Sequence, residues 1–300
     1  MPREFEIAEA RSCDVGECLA ALEESGFDPA EEASLAHAAL WLRRLGNNRA
    51  FLGDMLLEKL KARHGDPAEA SAYGPQVVML SPARGEFFLR ANIWPSKAEH
   101  MYRASGGESF VYGLPHDHNF DFLTLGYFGP GYWSDYYEYD YRAVQGWRGE
   151  DAGLRFVERS RLSLGRLLHY RAHRDVHSQF PPASLSVSLN VMHASAAQAW
   201  LDQYRFDARK GTVAAILNEG ASEAFLRIAV GLGGAAALDL AEDFACRHPS
   251  DRMRLAAWQA RAGRLADTGA RDAVWRAAEI SGSRVVAMEA KARRARLAEG

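Results

Sequence analysis

Cysteine is scarce in this 300-residue chain: there are three (Cys13, Cys18 and Cys246) and no CxxC pair. Three thiols cannot all pair internally, and the missing CxxC points away from a thiolate zinc site and towards a reducing, cytoplasmic setting. Also missing is any run of about 18 apolar residues, so no membrane-spanning helix is expected. The opening stretch MPREFEIAEARSCD has no apolar segment behind its charges and does not fit a secretory signal. Neither sign of charge dominates: 36 Lys and Arg against 39 Asp and Glu leave a net charge of −3. That balance gives no bulk attraction to nucleic acid or to an anionic membrane. GxSxG, HExxH and P-loop patterns are absent, which removes support for the hydrolases and NTPases built on them.

Hydrophobic residues at 48% and charged residues at 25% describe an ordinary folded chain, and its periodicity changes twice. Residues 1–72 read as an N-terminal helical region, with Leu35, Ala38, Ala39 and Leu42 at helical spacing, and Phe51, Met55, Leu56 and Leu60 repeating the period. Asn47-Asn48 and Gly65-Asp66-Pro67 supply the breaks. Over 73–195 the period falls to two: QVVML, EFFLRANIW, ESFVYGL, FDFLTLGYF, LRFVERSRLSL, GRLLHYRA and SLSVSLNVM read as short strands. Such a run without helices between predicts an antiparallel sandwich or barrel. Residues 196–300 read as all-α, with AAQAWLDQYRF and GTVAAILNEG among the helices and a distant likeness to HEAT-type solenoids. The class is α+β.

Histidine is the residue in unusual supply. Six of the ten (His116, His118, His169, His173, His177 and His193) fall between 116 and 193. His116 and His118 are two apart, so on a strand both imidazoles leave one face and can share a metal such as iron, copper, nickel or zinc. His177 lies about 60 residues on, before a strong alternating strand, where a barrel could bring it beside the pair. Three protein ligands leave positions open for substrate or dioxygen. His173 is the substitute should His177 not ligate, and His169 and His193 lie beside the ligands or on the surface.

The pattern His116-Asp117-His118, then His177 and the strand Ser188-Leu189-Asn190-Val191, resembles the cupins, and within them the thiol dioxygenases related to cysteine dioxygenase. The resemblance covers residues 76–195. It implies a double-stranded β-helix barrel, with Fe(II) on His116, His118 and His177 and dioxygen as co-substrate; Zn, Ni or Mn are the other metals to consider. Phe122 and Leu123 stand where many cupins carry a glutamate, which favours three histidines alone unless Asp121 is drawn in. Asn190 and Met192 occupy the slots where the thiol dioxygenases carry His and Tyr. An arginine holds the substrate carboxylate in those enzymes, and Arg90 lies at about that place; an outward arginine on an alternating strand is the other reading, and Arg103 a second candidate. Arg90, Tyr127 and Tyr170 are therefore the residues assigned to catalysis, with Tyr132 and Gln179 as further pocket residues or packing.

Three further patterns carry less. Gly231-x-Gly233-x-x-Ala236 mimics a dinucleotide loop but lacks a preceding strand. Lys291, Arg293, Arg294 and Arg296 read as a solvated helix face, and DYYEYDY as a loop or edge strand. The expected function is a non-haem Fe(II) oxygenase acting on a small thiol, amino-acid-like or peptide substrate. The alternatives are a metal- or ligand-binding cupin without turnover, its C-terminal helices contacting a protein partner, and a redox-neutral Zn or Mn isomerase or lyase. Pairing of barrels into a homodimer is a further expectation.

Overall fold

A computed structural model describes residues 1–63, 76–218 and 220–299. The break expected at Gly65–Pro67 and the boundary expected near 72 lie outside these residues. In chain order come β1 (Arg3–Glu4), α1 (Val15–Ser25), α2 (Glu32–Asn47), α3 (Phe51–Arg63), β2 (Val77–Met79), β3 (Phe87–Trp94) and α4 (His100–Ser105). Strands β4 (Phe122–Phe128), β5 (Tyr132–Glu138), β6 (Arg155–Leu162), β7 (Leu167–Tyr170), β8 (Asp175–Gln179) and β9 (Ser186–His193) follow. The rest is a hairpin, β10 (Tyr204–Asp207) and β11 (Thr212–Ile216), then α5 (Ala221–Leu232), α6 (Ala235–Arg247), α7 (Asp251–Gly263), α8 (Thr268–Glu279) and α9 (Arg284–Glu299). Among the described residues no helix is long and apolar enough to cross a membrane.

The chain divides into two compact units, residues 1–139 with 154–198, and 140–153 with 199 onward. In the first, a six-stranded antiparallel sheet runs β1-β7-β4-β9-β3-β2, and a three-stranded one runs β6-β5-β8. The described strands of this unit thus form two sheets rather than one closed ring of hydrogen bonds. Period-two alternation gives the larger sheet two apolar faces. Leu89, Ala91, Leu123, Leu125, Leu189 and Val191 pack on one face against Leu35, Ala38, Ala39, Leu42 and Leu45 of α2. The N-terminal helices are therefore a layer on the sheet, sharing its core. Gly46 allows α2 that approach, since a Cβ there would lie 2.0 Å from a Leu125 methyl. On the other face Trp94, Phe122, Leu168, Tyr170 and Met192 meet Tyr132, Tyr136 and Leu162 of the smaller sheet.

Several elements differ from the sequence reading. ESFVYGL is not a strand: Gly107–Phe110 is a 3-10 turn and Val111 sits in the left-handed region at φ 61°. DYYEYDY lies largely in β5, the central strand of its sheet. In the second unit, the stretches read as helices around 204–207 and 212–216 form an antiparallel hairpin. There Tyr204 and Phe206 are buried while Arg205 between them is exposed, a period of two. Helices α5 to α9 of that unit bury Val230, Ala241, Ala245, Ala257, Trp258, Trp275 and Val286 in a core of their own.

Candidate metal centre

Strand β8 is buried along its whole length, so it carries no alternation, and His177 sits at its middle. The segment before β4 that carries His116 and His118 meets β8 through an isolated bridge. His116 N–H donates to His177 O (3.0 Å) and His177 N–H returns to His116 O (2.9 Å), a single antiparallel bridge that faces the two residues. Extended backbone then turns His118 to the same side, while Asp117 between them is buried elsewhere, accepting a hydrogen bond from the Tyr139 hydroxyl. His118 O in turn accepts from His173 N–H at 2.8 Å.

The outcome is three imidazoles whose ligand atoms lie within 4.8 Å of one another. His118 Nε2 is 3.0 Å from His177 Nε2, and His177 Nε2 is 3.3 Å from His116 Nε2. His116 Nδ1 donates to Leu114 O at 2.7 Å, which assigns the proton to Nδ1 and leaves a lone pair on Nε2. One proton, on His177 Nε2 or His118 Nε2, cannot satisfy both short contacts well; a cation at the point of convergence satisfies all three. Zinc–imidazole bonds of about 2.0–2.1 Å separate neighbouring ligand nitrogens by about 3.0 Å at a right angle and about 3.4 Å at a tetrahedral one. The two separations from His177 match that range and the third lies within 4.8 Å, so the donor set fits a metal.

Electrostatics agree. The side chains are 5, 9 and 2% exposed in the order His116, His118, His177. Burial lowers the His116 pKa to about 4, against the backbone bond that raises it. Burial also holds His118 well below its ordinary value, with His116, His177 and Arg90 adding to the effect. His177 is lowered by burial and by His116. All three are neutral at pH 7, the form in which imidazole ligates.

Sheet register fixes what surrounds them. Tyr136 of β5 pairs with His177, and Ser134 with Gln179. Gln179 Nε2 lies 3.2 Å from the His177 ring nitrogens, while its Oε1 is buried without a partner among the described residues. In the larger sheet, Phe88, Met192, Phe122 and Tyr170 form one cross-strand row, and Arg90, Asn190 and Thr124 form the next. Phe122 lies edge-on to His118 at 4.9 Å and stacks on Tyr170 at 4.5 Å; Tyr170 in turn lies 4.8 Å from the His177 ring. The Tyr170 and Tyr136 hydroxyls are 2.8 Å apart, and burial raises both phenol pKa values, so both stay protonated.

The three histidines, Tyr170 and Gln179 therefore come together, and Arg90 lies on the facing sheet surface, one row away. Tyr127 does not. It shares the face of Leu123 and Leu125, its hydroxyl donates to Asn48 O at 2.8 Å, and Phe51 covers its ring. Its place in the helix-side core removes it from the residues assigned to catalysis. Asp121 is engaged by His169 at 2.9 Å and is outside the three-histidine group. His173 takes the left-handed conformation at φ 57° and is also outside it. Sequence reading missed Asn92 and Thr124, whose side-chain oxygens are buried with no partner among the described residues. Their signal was a polar residue on the inner parity of an otherwise apolar strand.

No family model matches the chain, and none of the curated proteins does. Among solved structures, a candidate mannose-6-phosphate isomerase from Ralstonia eutropha JMP134 is 16% identical over 44% of this chain and 98% of that one, with a TM-score of 0.24. The DMSP lyase DddQ from Ruegeria pomeroyi DSS-3 is 11% identical over 65% and 79% of the two chains, at 0.27. A prolyl 4-hydroxylase from Phytophthora capsici is 11% identical over 95% and 84%, at 0.24. At such TM-scores the likeness places the chain in no family.

Proposed function

We propose that the chain is a cupin-type, double-stranded β-helix enzyme: a non-haem Fe(II) oxygenase whose metal is held by His116, His118 and His177. The observation that carries this reading is the convergence of three neutral, buried imidazole nitrogens at 3.0 and 3.3 Å with no carboxylate among them. Three protein ligands leave positions open on the ion, as a catalytic site requires and a structural one does not. Bound iron would supply the one-electron and dioxygen chemistry that the side chains cannot.

The protein groups bind, orient and exclude water. Phe120, Phe122 and Tyr170 wall the histidines with aromatic surface, and a dry pocket protects reactive chemistry from side reactions. Arg90 offers a planar fork suited to a carboxylate. Asn92 Oδ1, Thr124 Oγ1 and Gln179 Oε1 are buried acceptors with no partner among the described residues, and they favour a ligand with N–H or O–H donors. Together these support an amino-acid-like substrate, with a thiol or a short peptide as its variants. The protonated Tyr136–Tyr170 hydroxyl pair can donate a hydrogen bond to such a substrate and is not a base at neutral pH.

The test is dioxygen uptake by iron-loaded protein offered amino acids, thiols and short peptides. Uptake that depends on His177 and falls in Arg90→Ala mainly through a raised KM supports the reading. Turnover supported by zinc without dioxygen would replace it with redox-neutral lyase or isomerase chemistry.

A further inference from the structure

Four helices of the second unit converge on a groove of about 650 Å³ lined by Arg227 of α5, Gln259 of α7, Arg271 and Trp275 of α8, and Arg293 and Arg296 of α9. Its volume falls within the range of small-molecule sites. Several other arginines of the unit are matched to carboxylates. Arg252 pairs with Asp202 at 2.8 Å, Arg276 with Asp272 at 2.8 Å, and Arg294 with both Asp272 and Glu279 at 2.7 Å. None of the four groove arginines forms an ion pair with a carboxylate among the described residues. Arg271 Nε donates to Leu265 O, a backbone contact that leaves its charge uncompensated. Arg293 lies over the Trp275 ring at 5.0 Å, and its Nε is buried without a hydrogen-bond partner among the described residues.

We propose that this groove is a binding site for a phosphate-bearing small molecule. Like charges crowded in one concavity repel, and the arrangement gains when an anion enters. Burial lowers the Arg293 pKa, and the charges of Arg296 and Arg227 lower it further against Glu289, which marks that crowding. Guanidinium forks match the tetrahedral oxygens of phosphate with paired N–H donors, and Arg serves this role better than a point charge does. The basic tail thus divides: Arg294 is paired within the bundle, whereas Arg293 and Arg296 face the groove. The site is independent of the histidine centre, and its ligand need not be the substrate.

The experiment is calorimetric titration of the full chain with inorganic pyrophosphate as probe. Saturable binding is expected, weakening with salt. An Arg227→Gln/Arg293→Gln double variant should lower the affinity at least tenfold, while Arg276→Gln and His116→Ala leave it within twofold. Should the double variant not fold, as judged by circular dichroism, Arg296→Gln alone, at an exposed position, should lower the affinity at least threefold. Absence of saturable binding, unchanged binding in Arg296→Gln, loss of binding in His116→Ala, or tighter binding of a poly-glutamate peptide than of pyrophosphate would each overturn the proposal.

Discussion

Neutrality is what allows His116, His118 and His177 to share one point, and it has a cost that can be measured against pH. In metal-free protein His116 keeps a pKa of about 4 when folded, against an ordinary 6.5. Above pH 6.5 it is neutral in both states and the fold loses nothing. As the pH falls from 6.5 towards 4 the unfolded chain takes up a proton that the folded chain refuses, so stability drops, by on the order of 3 kcal/mol for this residue. His118 and His177 are lowered in the same direction and add to the loss. Denaturant unfolding of metal-free protein at pH 7.5 and pH 4.5 should show this drop, and His116→Ala should make it shallower. Between His116 and His118, Asp117 accepts from Tyr139 in full burial, so Tyr139→Phe should cost about 1.5–3 kcal/mol in the same assay. The His-x-His pair was legible in the sequence because two residues on extended backbone share a side whatever the fold does around them. Tyr127 was assigned on its residue type alone: it stands an odd number of positions from His118 and Phe122, and so shares the opposite, helix-side face with Leu123 and Leu125.

Elements divide by whether their apolar residues keep a regular period, even where both faces are buried. Strands β3, β4 and β9 and helix α2 carry a regular apolar period and were readable from it. Strand β8 was not, since five consecutive buried positions that include Asp, His, Ser and Gln show no pattern. The β10–β11 hairpin was hidden by the Ala-rich run of β11, which favours a helix by propensity, although cross-strand pairing with Tyr204–Asp207 prevails. ESFVYGL has strand composition, yet Val111 and Gly113 both take positive φ, which ends any ladder there. Two helix glycines, one packed against β4 and one in open space, yield predictions of opposite sign. Gly46→Ala pushes a methyl into the Leu125 side chain and should cost about 1–3 kcal/mol. Gly53→Ala in α3 meets nothing within 4 Å and should stabilise by about 0.5–1 kcal/mol through helix propensity alone. Thermal or urea unfolding of the two variants checks both.

At the scale of the molecule, the order of strands was beyond the sequence. Nothing local says that β4 lies between β7 and β9, or that β5 carries β8 on one side and β6 on the other. Those pairings bring together residues some 60 positions apart and create the facing rows of aromatic and polar side chains around the histidines. The account of function rests on that assembly holding one metal ion. The most direct test is the metal content of protein purified without added metal, measured beside His116→Ala, His118→Ala and His177→Ala, each confirmed folded by circular dichroism. The account predicts close to one iron per chain in the parent protein and at least a tenfold loss in every variant. A parent protein that holds no metal even after reconstitution with Fe(II), or a metal content untouched by the three substitutions, would contradict it.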